Sequence, residues 1–285
     1  MIAYYLAIGM GRLISFLPFR LLYVFSDFLR FIVADVVQYR KKVINSNLRK
    51  SFPEKSEREI NSIRQGFYAN FTDLIVESFK SLNVSAKTMR KRFKLLNPEV
   101  FQKLYDQDKG VIMVMGHYTN FEWTAMSIPL WVPNPCFAVY HPLTNTYFSR
   151  KIVAIREQFG LKLFPMEETY PFMLNNPAKS PLYVFMADQS PHKGKIKYRT
   201  DFLNQSTPVH LGVENLSKKC DLGVVFIDIQ RVKRGYYEVS AKLLFEDVQS
   251  TEPYQVTNAH VKALEDVIRK TPENWLWSHK RWKYA

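Results

Sequence analysis

Three short apolar runs constrain this chain more than anything else in it: Gly110-Val111-Ile112-Met113-Val114-Met115, residues 181–187 and residues 222–229. Each is short for a helix and is flanked by turn-forming or polar residues, which suits a strand buried on both faces. Between and around them lie stretches that read as helices, residues 120–128, 145–159 closed by Gly160, and 208–219. Strand and helix therefore alternate. That order predicts an α/β fold with a central mixed, largely parallel sheet flanked by helices. Residues 231–235 read as a hairpin turn between residues 224–230 and 236–245, adding antiparallel strands. Residues 256–270 predict a last amphipathic helix, stopped by Thr271-Pro272. Upstream, Ser56-Glu57-Arg58-Glu59 has the capping-box pattern, and Ile60, Ile63, Phe67, Phe71, Leu74, Ile75, Phe79 and Leu82 share one stripe of a long helix. The charge run at residues 88–94 predicts a solvated helix face.

With 285 residues, 47% of them hydrophobic, and only ten glycines, the chain has material for a full core, which excludes disordered and collagen-like classes. We expect an α/β domain over residues 43–285 and a membrane-associating helical segment over residues 1–42. Residues 1–34 carry only four charges, Arg12, Arg20, Asp27 and Arg30, which is too apolar for a soluble surface helix. The longest uncharged run, residues 1–11, falls short of the about 20 residues a simple span needs. Pro18 lacks an N–H and breaks the helix into two pieces around Leu17-Pro18-Phe19. A bent hairpin lying in one leaflet fits this pattern; a helix pair packed inside the body is the alternative. Arg40-Lys41-Lys42, with Arg49 and Lys50 beyond, would then meet anionic headgroups and keep that side cytoplasmic. A secretory signal is not expected, because no positive n-region or small-residue cleavage site is present.

Lys and Arg number 40 against 26 Asp and Glu, so the net charge is 40 − 26 = +14. This excess implies an anionic partner: a nucleic acid, a membrane surface or a phosphorylated substrate. Cys136 and Cys220 stand in no C-x-x-C or His-paired spacing, so neither a metal site nor a disulfide framework is expected. The tail from Trp275 to Trp282 is aromatic and basic. It could dock on the body, stack on bases or sit at a lipid interface.

The segment with most chemistry is Gly116-His117-Tyr118-Thr119-Asn120-Phe121-Glu122-Trp123, directly after the first apolar run. On one continuous helix, positions five apart point about 140° away from each other. If the strand stops at Gly116 and a helix starts near Asn120, its first turn can return Glu122 towards the His117 imidazole. A neutral imidazole can take a proton from a hydroxyl, while a carboxylate fixes its tautomer and stabilises the imidazolium that forms. The nearby helix N-terminus offers N–H groups to a phosphate or an oxyanion. Asp188 ends the second apolar run, at the strand end where α/β sheets place ligands. Arg156, beside Glu157, reads either as a substrate contact or as a surface charge. Lys193, Lys195, Lys197 and Arg199 read as a solvated strand edge. His141, His192, His210, His260 and His279 lack a carboxylate at a telling distance and read as structural.

Taken in order, these pieces resemble the bacterial late acyltransferases of lipid A biosynthesis, the lauroyl/myristoyl group of the lysophospholipid acyltransferase superfamily. The matching pieces are the apolar N-terminal segment; Tyr39-Arg40-Lys41-Lys42 with Asn47-Leu48 and Phe52-Pro53; Gly116-His117 to Glu122-Trp123; Arg156 with Gly160; Asp188-Gln189 with Gly194; and the closing stretch from Pro272 to Arg281. The resemblance covers nearly the whole chain. It implies transfer of a fatty acyl chain from an acyl carrier protein thioester to a hydroxyl of a membrane lipid, a lipid A-type precursor, with no metal or organic cofactor. It further implies His117 as general base, Glu122 as its orienting carboxylate, and Arg156, Asp188 and Gln189 in substrate binding. The expected place is the cytoplasmic (inner) membrane, with the active site facing the cytoplasm. In one place the chain departs from the pattern: Thr200-Asp201-Phe202-Leu203-Asn204 stands where the family usually has a Phe-Phe-Gly run. The same fold acting on an aminolipid, a glycolipid or a lysophospholipid is the nearest rival. A basic nucleic-acid-binding protein is the more distant one; it leaves the apolar first 34 residues unexplained, and no helix-turn-helix, zinc or RNP motif supports a nucleic-acid partner.

Overall fold

The structure, a computed structural model, describes residue 9 and residues 11–284. Its helices are α1 (Phe19–Phe31), α2 (Lys41–Ser51), α3 (Glu57–Lys80), α4 (Ala86–Arg92), α5 (Glu99–Asp106), α6 (Phe121–Ser127), α7 (Thr146–Arg156), α8 (Thr169–Asn175), α9 (Gly212–Lys219) and α10 (Gln255–Lys270). The strands are β1 (Phe93–Leu95), β2 (Val111–Met115), β3 (Cys136–Tyr140), β4 (Lys162–Pro165), β5 (Leu182–Met186), β6 (Arg199–Phe202), β7 (Gln205–Pro208), β8 (Gly223–Lys233) and β9 (Tyr236–Phe245).

Seven strands form one sheet in the order β1-β9-β8-β2-β5-β3-β4. Every pairing in it is parallel except β8 with β9. The three apolar runs of the sequence become β2, β5 and the first part of β8. These adjoining strands lie at the centre of the sheet, and all five residues of β2 are buried. The β8–β9 hairpin turns at Arg234-Gly235, with Gly235 at a φ of 73°. Helix α3 carries the capping box its sequence predicts: Glu59 N–H donates to the Ser56 hydroxyl, and the Ser56 N–H donates to the Glu59 carboxylate. The charge run at residues 88–94 splits between α4 and the first edge strand. The departing stretch at residues 200–204 folds into the small β6–β7 hairpin, whose turn residues Leu203 and Asn204 both have positive φ.

Near the N-terminus, residues 11–16 are helical and the chain breaks at Leu17-Pro18 before α1. The buried Lys80 donates from Nζ to the carbonyls of Ser15 (2.6 Å) and Leu17 (2.9 Å), neutralising the carbonyl end of that first helical piece. Helix α1 then turns a polar stripe inward. Tyr23 donates to Glu77 (2.6 Å), and Ser26 donates to Asp73 (2.6 Å), both on α3. Asp73 is in turn ion-paired with Arg231 and Arg234. Its opposite face is apolar and open to solvent: Leu21, Val24, Phe28 and Phe31 are exposed, continuing Leu13 and Phe16 of the preceding helical piece. Among the described residues, no helix is long and apolar enough to cross a membrane. Most of the uncharged run at residues 1–11 lies outside the described residues.

Candidate active site

The parallel register of the sheet sets the site. Met115 of β2 pairs with Met186 of β5, and the ladder continues with the Ala187 N–H donating to the Met115 carbonyl (3.1 Å). His117 and Asp188 each lie two residues beyond that pair, at the carboxyl ends of adjacent strands. They meet there. His117 Nδ1 lies 2.6 Å from Asp188 Oδ1, and the His117 backbone N–H donates to Asp188 Oδ2 (2.9 Å). Gly116 makes this approach possible, because a Cβ there would stand 3.2 Å from the Asp188 carboxylate and 2.7 Å from Leu264.

The turn from β2 into α6 is the change of backbone direction the sequence requires. Thr119 carries it at a φ of 54°, a costly value for a β-branched residue. Two bonds hold it there: its N–H donates to the Asn274 carbonyl (2.8 Å) and its hydroxyl to the Ile229 carbonyl (3.0 Å). Asn120 caps α6 by accepting from the Trp123 N–H (2.9 Å), so the helix start is occupied in part by its own side chain. The same Asn120 donates to the buried Glu77 (2.6 Å), whose carboxylate also accepts from Tyr23 and Tyr237. Burial raises the Glu77 carboxyl above its usual range, although these three bonds oppose the rise.

The C-terminal tail completes the site, taking the first of its three possible fates. Residues 274–276 run alongside the His117 turn, with the Leu276 N–H donating to the His117 carbonyl (3.1 Å) and a bridge between Tyr118 and Trp275. Trp275 Nε1 donates to Asp188 Oδ2 (2.8 Å). The strap is anchored from α2: Asn47 donates to the carbonyls of Trp277 and His279, Phe52 packs edge-on against Trp277, and Arg40 reaches the Ser278 carbonyl.

Asp188 is buried and therefore costly to charge, but the charge of His117, its bonds and that of Trp275 outweigh the burial and hold the carboxyl well below the usual carboxylate range. Burial opposes the imidazolium of His117 as well. Asp188, and after it the charge of Glu122, overcome that penalty and raise the imidazole above its ordinary value, with Arg156 opposing. Gln189 stands with its amide nitrogen 3.2 Å from His117 Nε2. These contacts suit a neutral ring with Nδ1–H donating to Asp188 and Nε2 accepting from the Gln189 amide.

Glu122 takes a different partner from the one its spacing suggests. Arg156 of α7 grips it with two parallel bonds, 2.9 Å from Nε and 2.6 Å from Nη2. Among the described residues no hydrogen bond or ion pair joins Glu122 to His117. The first turn of α6 does bring the carboxylate back to the wall shared with the imidazole, but Asp188 has already filled Nδ1 from the neighbouring strand. Arg156 is thus more than a loose surface charge. All five expected site residues, His117, Glu122, Arg156, Asp188 and Gln189, converge on one place.

That place opens into a cavity of about 570 Å³, within the size range of small-molecule sites. Its walls are mostly apolar: Ala125 of α6, Ala138 of β3, Leu161 and Leu163 around β4, Val184 of β5, and Val213 and Leu216 of α9. Apart from histidines, Glu122 is the only carboxylate and Arg156 the only cation among the described residues lining it, and both sit near His117. His141 and His210 also line the cavity. His279 accepts a long bond from the Ser190 N–H (3.5 Å), and His260 lies fully buried behind the site, pushed down to about 4 by burial. Among the described residues no group of three metal-ligating side chains occurs. The sequence alone did not bring forward Trp275, because its indole reaches Asp188 across 87 positions. Its place in the aromatic tail was the only signal.

Comparison with known proteins adds one match. The family model described as bacterial lipid A biosynthesis acyltransferase matches residues 1–284. No curated protein matches the chain.

Proposed function

The chain belongs to the bacterial lipid A biosynthesis acyltransferases, and on that premise we propose that it moves a fatty acyl group from an acyl carrier protein thioester to a hydroxyl of a lipid A-type precursor, with His117 as general base and Asp188 as the carboxylate that orients it. The acyltransferase activity and its lipid acceptor come with the family. The donor, the roles of the site residues and the membrane are our reading. One observation carries the roles: His117, bonded through Nδ1 to the buried Asp188, stands at the wall of an apolar cavity of about 570 Å³.

The acyl chain lies along the apolar walls and brings its thioester carbonyl to the imidazole. The acceptor hydroxyl replaces the Gln189 amide at Nε2, the one ring nitrogen with a free lone pair. Nε2 takes the hydroxyl proton as the oxygen attacks the carbonyl carbon, while Asp188 stabilises the developing imidazolium through Nδ1. Collapse of the tetrahedral intermediate breaks the carbon–sulfur bond, and the imidazolium returns its proton to the departing thiolate. The thioester supplies the driving force, so position and a base suffice. Glu122 acts on the same imidazolium through its charge, without contact, and fixes Arg156 at the cavity wall, where the guanidinium can meet an anionic part of a substrate.

The apolar outer face of residues 13–31 supports seating in the cytoplasmic (inner) membrane, and the exposed Arg12 and Arg20 of the same segment suit anionic headgroups. A net charge of +14 suits both lipid phosphates and an acidic carrier protein. The active site would face the cytoplasm.

The test is mass spectrometry of lipids from cells carrying the wild-type gene, no gene, or a His117→Ala variant expressed at the wild-type level. One acylated lipid is expected to disappear in both the deletion and the variant. A wild-type lipid profile in the variant would rule out His117 as the base.

A further inference from the structure

The C-terminal strap carries one more charge to the rear of the site. Arg281 is only 2% exposed, and it shares a narrow pocket with Asp188, His260, Ala187 and Phe202. Its Nη1 donates to the Pro208 carbonyl (2.8 Å), while its Nε has no hydrogen-bond partner. Among the described residues no carboxylate forms an ion pair with it. A buried cation without a paired anion is costly and calls for an explanation. The carboxylate whose charge acts on it is Asp188.

We infer that Arg281 is the counter-charge of Asp188, and that by balancing this buried carboxylate it leaves His117 uncharged and able to accept a proton near neutral pH. The inference rests on the reading of His117 as the base. Its logic is charge arithmetic inside a water-poor pocket. With Asp188 and His117 alone, the electrically neutral cluster is carboxylate with imidazolium, a ring that cannot take a proton. With the guanidinium added, the neutral cluster is guanidinium, carboxylate and uncharged imidazole, which is the working form of a base.

The other charged and titratable groups around the imidazole do not replace Arg281. Glu122 from α6 and Arg156 from α7 satisfy each other. His260 from α10 is pushed down to about 4 by burial, and His279 from the strap is also lowered, first by burial. His210, which feels Arg281, is lowered by burial and then by that same charge. All three histidines are therefore pushed towards their neutral form. Burial pulls Arg281 itself down to about 10, which still leaves it cationic through the neutral range. Asp188 continues to raise His117 above the ordinary imidazole value; Arg281 limits how far.

The experiment is the pH dependence of kcat for the detergent-solubilised full chain and for Arg281→Met and Arg281→Lys, with acyl-carrier thioester as donor and circular dichroism to check folding. Removing a cation beside the pair favours imidazolium, so the acid limb of Arg281→Met should move up by about one pH unit, with kcat recovering at high pH. Arg281→Lys keeps the charge and should keep the limb in place. A folded Arg281→Met with an unmoved limb overturns the inference, as does a limb that moves equally in Arg281→Lys. Should Arg281→Met not fold, Arg281→Gln, which keeps a donor for the Pro208 carbonyl but not the charge, takes its place: its acid limb should move up as well, and an unmoved limb overturns the inference. Loss of turnover in His117→Ala tests the underlying reading separately, so an unmoved limb beside an inactive His117→Ala rejects only the role of Arg281.

Discussion

The two carboxylates around His117 occupy contrasting settings. Behind the ring, Asp188 is buried, accepts from the His117 backbone and the Trp275 indole, and binds Nδ1 directly. In front, Glu122 is partly open to the cavity and is fully engaged by Arg156. The rear is closed by strands and the C-terminal strap; the front faces the apolar cavity. Contact and burial therefore favour the rear carboxylate as the group that orients the ring in the proposed mechanism, and leave the front one to act there through its field and through Arg156. Proximity in sequence pointed the other way.

Asp188→Asn should break this contrast most severely. The amide cannot hold the Nδ1–H tautomer as an anion does, and we expect kcat to fall about a thousand-fold in an acyl-transfer assay, with the folded state retained. Removing the anion also lowers the His117 pKa, so the residual activity should show its acid limb at lower pH. Trp275→Phe removes the indole bond to the buried carboxylate. Its expected cost is about 1–3 kcal/mol in thermal or denaturant unfolding, with a loss of roughly tenfold in kcat from the loosened Asp188. Glu122→Gln should cost about tenfold or less, because the ring keeps its contact partner. Its acid limb should move to lower pH by less than in Asp188→Asn, and KM should rise as Arg156 loses its fixed geometry. A loss in Glu122→Gln exceeding that in Asp188→Asn would reverse the assignment of the two carboxylates. The smallest effect on chemistry is expected from Val24→Ser with Phe28→Ser on the outer face of α1, which should reduce co-sedimentation with anionic vesicles severalfold. Undiminished vesicle binding would remove the outer face of α1 from the membrane reading.

Much of this layout was legible in the residues because its causes are local. The apolar runs that form β2, β5 and β8 announce a buried sheet through composition alone, and Ser56 with Glu59 announces the start of α3. The break at Pro18 and the turn between Gly116 and Asn120 follow from backbone chemistry that acts within a few residues. The partner of His117 is not local. Asp188 reaches it because Met115 and Met186 are in parallel register, 71 positions apart, and neither periodicity nor spacing encodes which strand lies beside which. The inward polar stripe of α1 was hidden for the same reason: nothing within residues 1–34 tells that Tyr23 and Ser26 face Glu77 and Asp73. The tail likewise combined apolar rings with basic side chains. Its strap geometry depends on Asn47, Phe52 and Arg40 from the far end of the chain.

The most direct test is a proton–nitrogen spectrum of the His117 ring in the resting enzyme at neutral pH, recorded for the wild-type protein, Asp188→Asn and Glu122→Gln. A neutral ring protonated at Nδ1 with a bare Nε2 is expected, its downfield Nδ1 proton lost in Asp188→Asn and retained in Glu122→Gln. A ring protonated at Nε2, or a downfield proton that survives loss of Asp188 and vanishes with loss of Glu122, would contradict the account.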